Sequence, residues 1–245
     1  MPRRLANPSY SARPGGRVDS APVDDPTARA AALRVLAEET SGCTRCRLAA
    51  GRTQVVFGAG HPDADLMFVG EAPGFHEDQQ GVPFVGQAGK LLDRLLAGIG
   101  LARSDVQVVN VLKCRPPGNR DPQPDEIEAC EGHLFRQISL IQPKVVGTLG
   151  NFATKLLSGR PLGITRVHGQ EQQTTLGGLR VILYPLYHPA AALYTPAMLK
   201  VLESDFARIP ELLARAAAPV PPVAVAPVAA AAPPAEREPV QLGLF

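Results

Sequence analysis

Four short apolar runs recur along the chain, at residues 65–70, 106–112, 144–149 and 179–184, with stretches of helical periodicity around them. Their length suits buried strands better than helices. The clearest helical stretch places Ala88, Leu91, Leu92, Leu95, Leu96 and Ile99 on one face and ends at Gly100, a residue suited to a carboxyl cap. An earlier helix is expected from Asp25, a good N-cap, through the first-turn Pro26 to Gly42. Others are expected at about 125–141, from Asn151, and as one closing helix at about 197–215. Strands alternating with helices imply an α/β fold with a largely parallel sheet covered on both faces. Ligands in such folds lie beyond the carboxyl ends of the strands. Here four polar segments leave those ends: 70–78, 110–120, 150–151 and 188–194.

The apolar periodicity stops near Ala216. Residues 216–240 are mostly Ala, Pro and Val, a composition that predicts an extended linker and no core. Residues 1–24, rich in Pro, Gly, Ser and Arg, are expected to form a disordered arm. That leaves 25–215 as the folded domain, ample for one core. No apolar run reaches the ~18 residues that would cross a bilayer, and the segment after Arg3 and Arg4 lacks the apolar stretch of a secretory signal. A cytoplasmic, monomeric protein is expected. The formal net charge of +2 does not by itself indicate nucleic acid, because phosphate binding needs a local patch.

In a reducing compartment four cysteines suit a metal centre better than disulfides. Cys43 and Cys46 form a C-x2-C pair in a Gly/Thr/Arg turn, Cys114 follows a strand, and Cys130 lies in the first turns of a helix. Four thiolates hold either tetrahedral zinc or a [4Fe–4S] cluster, and the spacing leaves both open. The plain alternative is that Cys114 and Cys130 are small buried residues. Lys113, Arg115 and Arg120 flank this loop as candidates to meet phosphates.

The motifs Cys43-x2-Cys46, Gly70-Glu-Ala-Pro-Gly74 with Glu77-Asp78, Val82-Pro-Phe-Val-Gly-Gln-Ala-Gly89, Asn110-Val-Leu-Lys-Cys-Arg-Pro-Pro-Gly-Asn119 and His188-Pro-Ala-Ala191 resemble, in order and content, the family-4 uracil-DNA glycosylases. The resemblance spans about Cys43 to Arg215. It implies a [4Fe–4S] cluster on Cys43, Cys46, Cys114 and Cys130, no metal in the catalytic step, and a four-stranded parallel sheet sandwiched by helices. It also implies uracil-containing DNA as substrate, with water as nucleophile and no lyase step.

Breaking an N-glycosidic bond leaves a cationic sugar and an anionic base, so the site must hold an extruded uracil and stabilise charge on its O2. Phe84 is the expected stacking platform and Gly70 part of the uracil site. Asn110, at a strand end, offers an amide to the uracil edge. His188 is the candidate donor to O2. A pocket closed around the 5-position is expected to exclude thymine by overpacking. Family-1 enzymes carry a water-activating Asp where this chain has Ala72 and a Tyr where it has Gly74. The water-positioning group is therefore sought among Glu71, Glu77 and Asp78, with Glu71 first because it lies in the motif itself. Leu193 and Tyr194 are candidates for the wedge that fills the hole left by the base. The basic insertion with which a related branch traps DNA covalently is missing near Arg115–Arg120, so turnover is expected.

A competing class is a non-catalytic, DNA-bound iron–sulfur protein or damage sensor. Such a protein needs the cysteines but has no use for a base-edge amide, a stacking ring and an anion donor in three loops. Finally, Gln241, Leu242, Leu244 and Phe245 resemble the peptide with which bacterial repair proteins dock on the sliding clamp, apolar anchors for a shallow pocket. A tether of ~25 residues before it would reach about 75 Å when extended.

Overall fold

The computed structural model describes residues 25–217. Asp25 caps helix α1 (Pro26–Ser41), its carboxylate accepting from the amides of Thr27 at 3.0 Å and Ala28 at 3.2 Å. Strands β1 (Ala59–Gly60), β2 (Leu66–Gly70), β3 (Gln107–Asn110), β4 (Val145–Leu149), β5 (Gln172–Leu176) and β6 (Leu179–Leu186) form one sheet in the order β1-β3-β2-β4-β6-β5. The four inner strands are parallel and correspond to the four apolar runs. Both edge strands are antiparallel, so the sheet is six-stranded and mixed where four parallel strands were expected. Neither edge advertises itself: β1 is two residues long and β5 reads Gln-Gln-Thr-Thr-Leu. What makes β5 is the turn at Gly177 and Gly178, both at positive φ (55° and 83°), which folds it back on β6.

Side-chain alternation divides the core. Met67 and Val69 of β2 face α1, α4 (Pro124–Ile141) and α5 (Asn151–Ser158), whereas Leu66 and Phe68 face α3 (Gln87–Gly98), α7 (Pro196–Ala207) and α8 (Ile209–Ala217). Phe68 stacks on Phe206 with ring centroids 5.6 Å apart. Two layers of helix thus cover the sheet. The single closing helix of the sequence reading is divided into α7 and α8, because Pro210 has no N–H for the preceding turn and its ring crowds that turn. Short helix α2 (Phe75–Gln80) begins within the polar segment 70–78, and α6 (Ile164–Val167) lies in a stretch to which no element was assigned. Among the described residues no helix is long and apolar enough to cross a membrane.

Candidate active site

At the carboxyl ends of β2 and β3, Gly70 pairs with Asn110. A Cβ on Gly70 would collide with Asn110 Oδ1 and lie 2.9 Å from the ring of Phe84. Glycine alone lets the amide and the ring meet over this strand end. Asn110 is buried. Phe84 is buried as well and adopts φ 55°, a left-handed backbone that a non-glycine residue keeps only when its surroundings hold it there. Those surroundings are explicit. Arg103 Nη2 donates to the carbonyls of Pro83 (2.9 Å) and Phe84 (3.3 Å), while its guanidinium carbon lies 5.8 Å from the Phe84 ring centroid. From the other side Glu77 Oε1 accepts from the amides of Val85 (3.1 Å) and Gly86 (3.3 Å). Gly89 in α3 leaves room for the Phe84 carbonyl, which any Cβ would strike.

Following β6, His188 stacks on Phe84 with ring centroids 5.4 Å apart and an interplanar angle of 25°. Its Nδ1 accepts the amide proton of Ala190 at 3.1 Å. Burial pulls its pKa down to about 4, against an opposing pull from Glu77. At neutral pH the ring is therefore uncharged, and with Nδ1 already accepting, the proton resides on Nε2. The ring is left as a neutral N–H donor.

The three carboxylates separate by their partners. Asp78 is 3% exposed and accepts the Thr53 amide with both oxygens, at 3.0 and 3.2 Å. Glu77 is occupied by the Phe84 loop. Glu71 is half-buried, and burial, aided by Asp121, raises its pKa. Among the described residues its carboxylate has no hydrogen-bond partner, so it is the one available to a water molecule.

The cysteines also converge. Cys114 and Cys130 lie in one core cluster with Cys46 packed against it, and Cys130 lies within electrostatic reach of Cys43, Cys46 and Lys113. Three sulfurs meet N–H or ring nitrogens: Arg52 Nη1 lies 3.6 Å from Cys114 Sγ, the Lys113 amide 3.3 Å from Cys130 Sγ, and His133 Nε2 3.5 Å from Cys43 Sγ. Burial nonetheless pushes the Cys114 thiol up to about 11. Among the described residues, no group of three or more His, Cys, Asp and Glu is gathered as it would be around a single metal ion.

The candidate DNA contacts divide. Lys113 is a correction: it is 1% exposed, and its Nζ donates to the Asn110 carbonyl at 2.7 Å, so it faces the interior and meets no phosphate. Arg120 is engaged by both oxygens of the buried Glu126. Arg115 lies over the Phe75 ring, 5.1 Å from its centroid. Leu193 packs against the core cluster, whereas Tyr194 is 91% exposed. Sequence reasoning missed Arg103, and a lone arginine after a helix gives no signal that it serves a strained loop. The arm, residues 218–240 of the expected linker and the residues Gln241, Leu242, Leu244 and Phe245 lie outside the described residues, whereas positions 216 and 217, read as the start of the linker, still belong to α8.

A profile of the Uracil DNA glycosylase superfamily matches residues 57–209. The Type-4 uracil-DNA glycosylase of Sulfurisphaera tokodaii is 48% identical over 185 residues, which make up 74% of this chain and 84% of that protein. Its counterpart in Archaeoglobus fulgidus is 46% identical, across 72% of this chain and 91% of that protein. A Type-5 uracil-DNA glycosylase of Pyrobaculum aerophilum is more distant, 31% identical across 54% of this chain and 63% of that protein.

Proposed function

We propose a mechanism from one premise: the chain belongs to the uracil-DNA glycosylase superfamily and, within it, to the type-4 enzymes. It is a monofunctional DNA glycosylase that excises uracil from DNA in repair. An extruded uracil stacks on Phe84, and the Asn110 amide reads its edge. His188 Nε2–H donates to O2, where charge accumulates as the bond from N1 to the sugar C1′ breaks. A neutral donor suits this task, because it needs no proton transfer to stabilise the anion. Glu71 orients a water for attack on C1′. The water oxygen bonds the carbon, its proton passes to the carboxylate, and the uracil leaves with the bonding electrons. Burial favours this acceptance by raising the proton affinity of Glu71.

The observation that carries the reading is the bare Cα of Gly70 between the Asn110 amide and the Phe84 ring. The test is incubation with a uracil-containing oligonucleotide, then alkali to cleave abasic sites. Wild-type protein should release uracil, so that alkali breaks the strand at that position, and should leave thymine in place. Equal release of both bases, or of neither, would overturn the assignment. A purely DNA-bound iron–sulfur sensor accounts for the cysteines alone and leaves this pocket without a use.

Cys43, Cys46, Cys114 and Cys130 would hold a [4Fe–4S] cluster. Supporting this are N–H groups on the sulfurs and the buried Lys113 cation beside Cys130, both of which favour thiolates. Bound, the cluster supplies a cross-link between the 43–46 turn, the loop after β3, and α4. The last five residues would dock on the bacterial sliding clamp. Deleting 241–245 should abolish clamp capture in a pull-down and leave excision on a short oligonucleotide unchanged. Clamp capture by the truncated chain would refute the docking role.

A further inference from the structure

The loops that leave β2 and β3 do not part at the strand ends. The amides of Val111 (2.9 Å) and Leu112 (3.0 Å) bond the carbonyls of Gly70 and Glu71, so the two chains run on side by side beyond the uracil pocket. Five residues past Gly70 stands Phe75, and five past Asn110 stands Arg115. Phe75 is 52% exposed and belongs to neither core cluster. It opens helix α2, which the Glu77 bonds to Val85 and Gly86 fasten to the Phe84 loop. Arg115 is held over the Phe75 ring, with its Nε donating to Asn119 Oδ1 at 2.7 Å. Among the described residues Arg115 forms no salt bridge. A large ring without core contacts, paired with a fixed and uncompensated cation at the mouth of a DNA enzyme's pocket, needs a ligand with both a flat face and a negative charge.

We propose that Phe75 and Arg115 form a second recognition site, which stacks the unpaired nucleobase adjacent to the extruded uracil and holds the phosphate beside it. Single-stranded nucleic acid supplies this combination: every base has a π face for an aromatic ring, and every linkage a charge for an arginine. Topology keeps the site apart from Tyr194, which follows β6 on the far side of β4. The strand would then be gripped on one side of the pocket by Phe75 and Arg115 and met on the other by Tyr194. The site rests on the reading of the pocket as a uracil pocket.

The test uses the full chain and single-stranded oligonucleotides bearing one uracil. In one set the neighbouring nucleotides are intact. In the others, a tetrahydrofuran abasic analogue replaces the base on one side or the other. Phe75→Ala should raise KM about 10-fold on the intact strand, the effect of one lost base–aromatic stack, with kcat within about twofold. Removing the contacted base should cost the wild type a similar factor, and on that strand Phe75→Ala should cost nothing more. Phe75→Trp should retain the wild-type KM. Arg115→Ala should lower the slope of log KM against log salt by about 0.7, the loss of one phosphate contact on a single strand. A Phe75→Ala penalty that persists at full size on both abasic strands, or no penalty on the intact one, overturns the proposal. Failure of the uracil-pocket reading has a different signature, namely no base release by the wild type from any strand.

Discussion

Around the base pocket, the groups that must hold position already have partners inside the chain: Arg103 and Glu77 brace the Phe84 loop, and the Ala190 amide orients His188. A few residues further along the loop from Asn110, the cysteines are gathered, but burial pushes the Cys114 thiol up to about 11, against the thiolate that a metal centre needs. Contacts within the chain hold the first region, and on the proposed reading a bound cluster would complete the second. The difference teaches where each is vulnerable. Pocket changes should be felt as lost rate in a folded protein, and cysteine changes as lost stability.

The sharpest break comes at the donor. His188→Ala should lower the single-turnover excision rate about 100- to 1000-fold, the scale of one lost anion donor, with an unchanged melting temperature. Gly70→Ala should follow at about 100-fold, since displacing the amide and the ring by roughly 1 Å suffices for that loss. An ordinary rate in either variant would place the chemistry elsewhere.

Cys114→Ala should cost several kcal/mol in urea unfolding, on the order expected for a lost structural metal centre, and abolish the broad visible absorbance of the purified protein. Stability equal to wild type would mean the site is finished by folding after all. Arg103→Ala sharpens the other side of the comparison. Left without its clamp, Phe84 should relax from its left-handed backbone, raising KM for uracil-containing DNA about 10-fold, an effect in line with the ~1–3 kcal/mol of strain such a residue stores. Arg103→Lys should rescue only part of this, as an ammonium does not reproduce the planar guanidinium.

The smallest effect is a pH slope. His188 is depressed to about 4 in the folded chain and returns to 6.5 when unfolded. Between those values the unfolded chain takes up the proton first, so stability present above pH 6.5 is lost as pH falls toward 4. Lowering pH from 7 to 5 should therefore cost about 1–2 kcal/mol through His188, and His188→Asn should lose that much less in a urea titration at the two pH values. His133 is also depressed to about 4 and supplies a parallel slope that remains in the variant.

The inner sheet was legible because β2, β3 and β4 are buried at every position, which writes an unbroken apolar run into the sequence. At the edges that signal is lost. Gly70, Phe84, Asn110 and His188 could be named from motifs, and the structure brings them together. Glu71, Glu77 and Asp78 stand close in sequence with the same charge, and only the amides of Thr53, Val85 and Gly86 tell them apart. Lys113 misled for a related reason. Its neighbours Cys114 and Arg115 suggest a basic loop, but its carbonyl accepts the Val56 amide and its own amide meets Cys130 Sγ, and its ammonium turns back to the Asn110 carbonyl.

The edge strands that escaped the sequence have a consequence for how copies of this chain behave in company. Sheet margins are where foreign strands add and polymers begin. On one margin β1 offers only two residues to a newcomer, and on the other β5 presents glutamines and threonines. Next to β5 runs β6, whose buried Val181–Tyr184 run, ended by Pro185, would become an apolar edge open to pairing if β5 came away. The guard over it hangs on one glycine turn, fastened to α4 by the Ser139 hydroxyl on the Gly177 carbonyl. Gly177 has no space for a Cβ, which would press on Ser139 and Phe135. A side chain placed there would loosen the guard and make β6 a seed for aggregation while the pocket at the opposite ends of the inner strands remained whole.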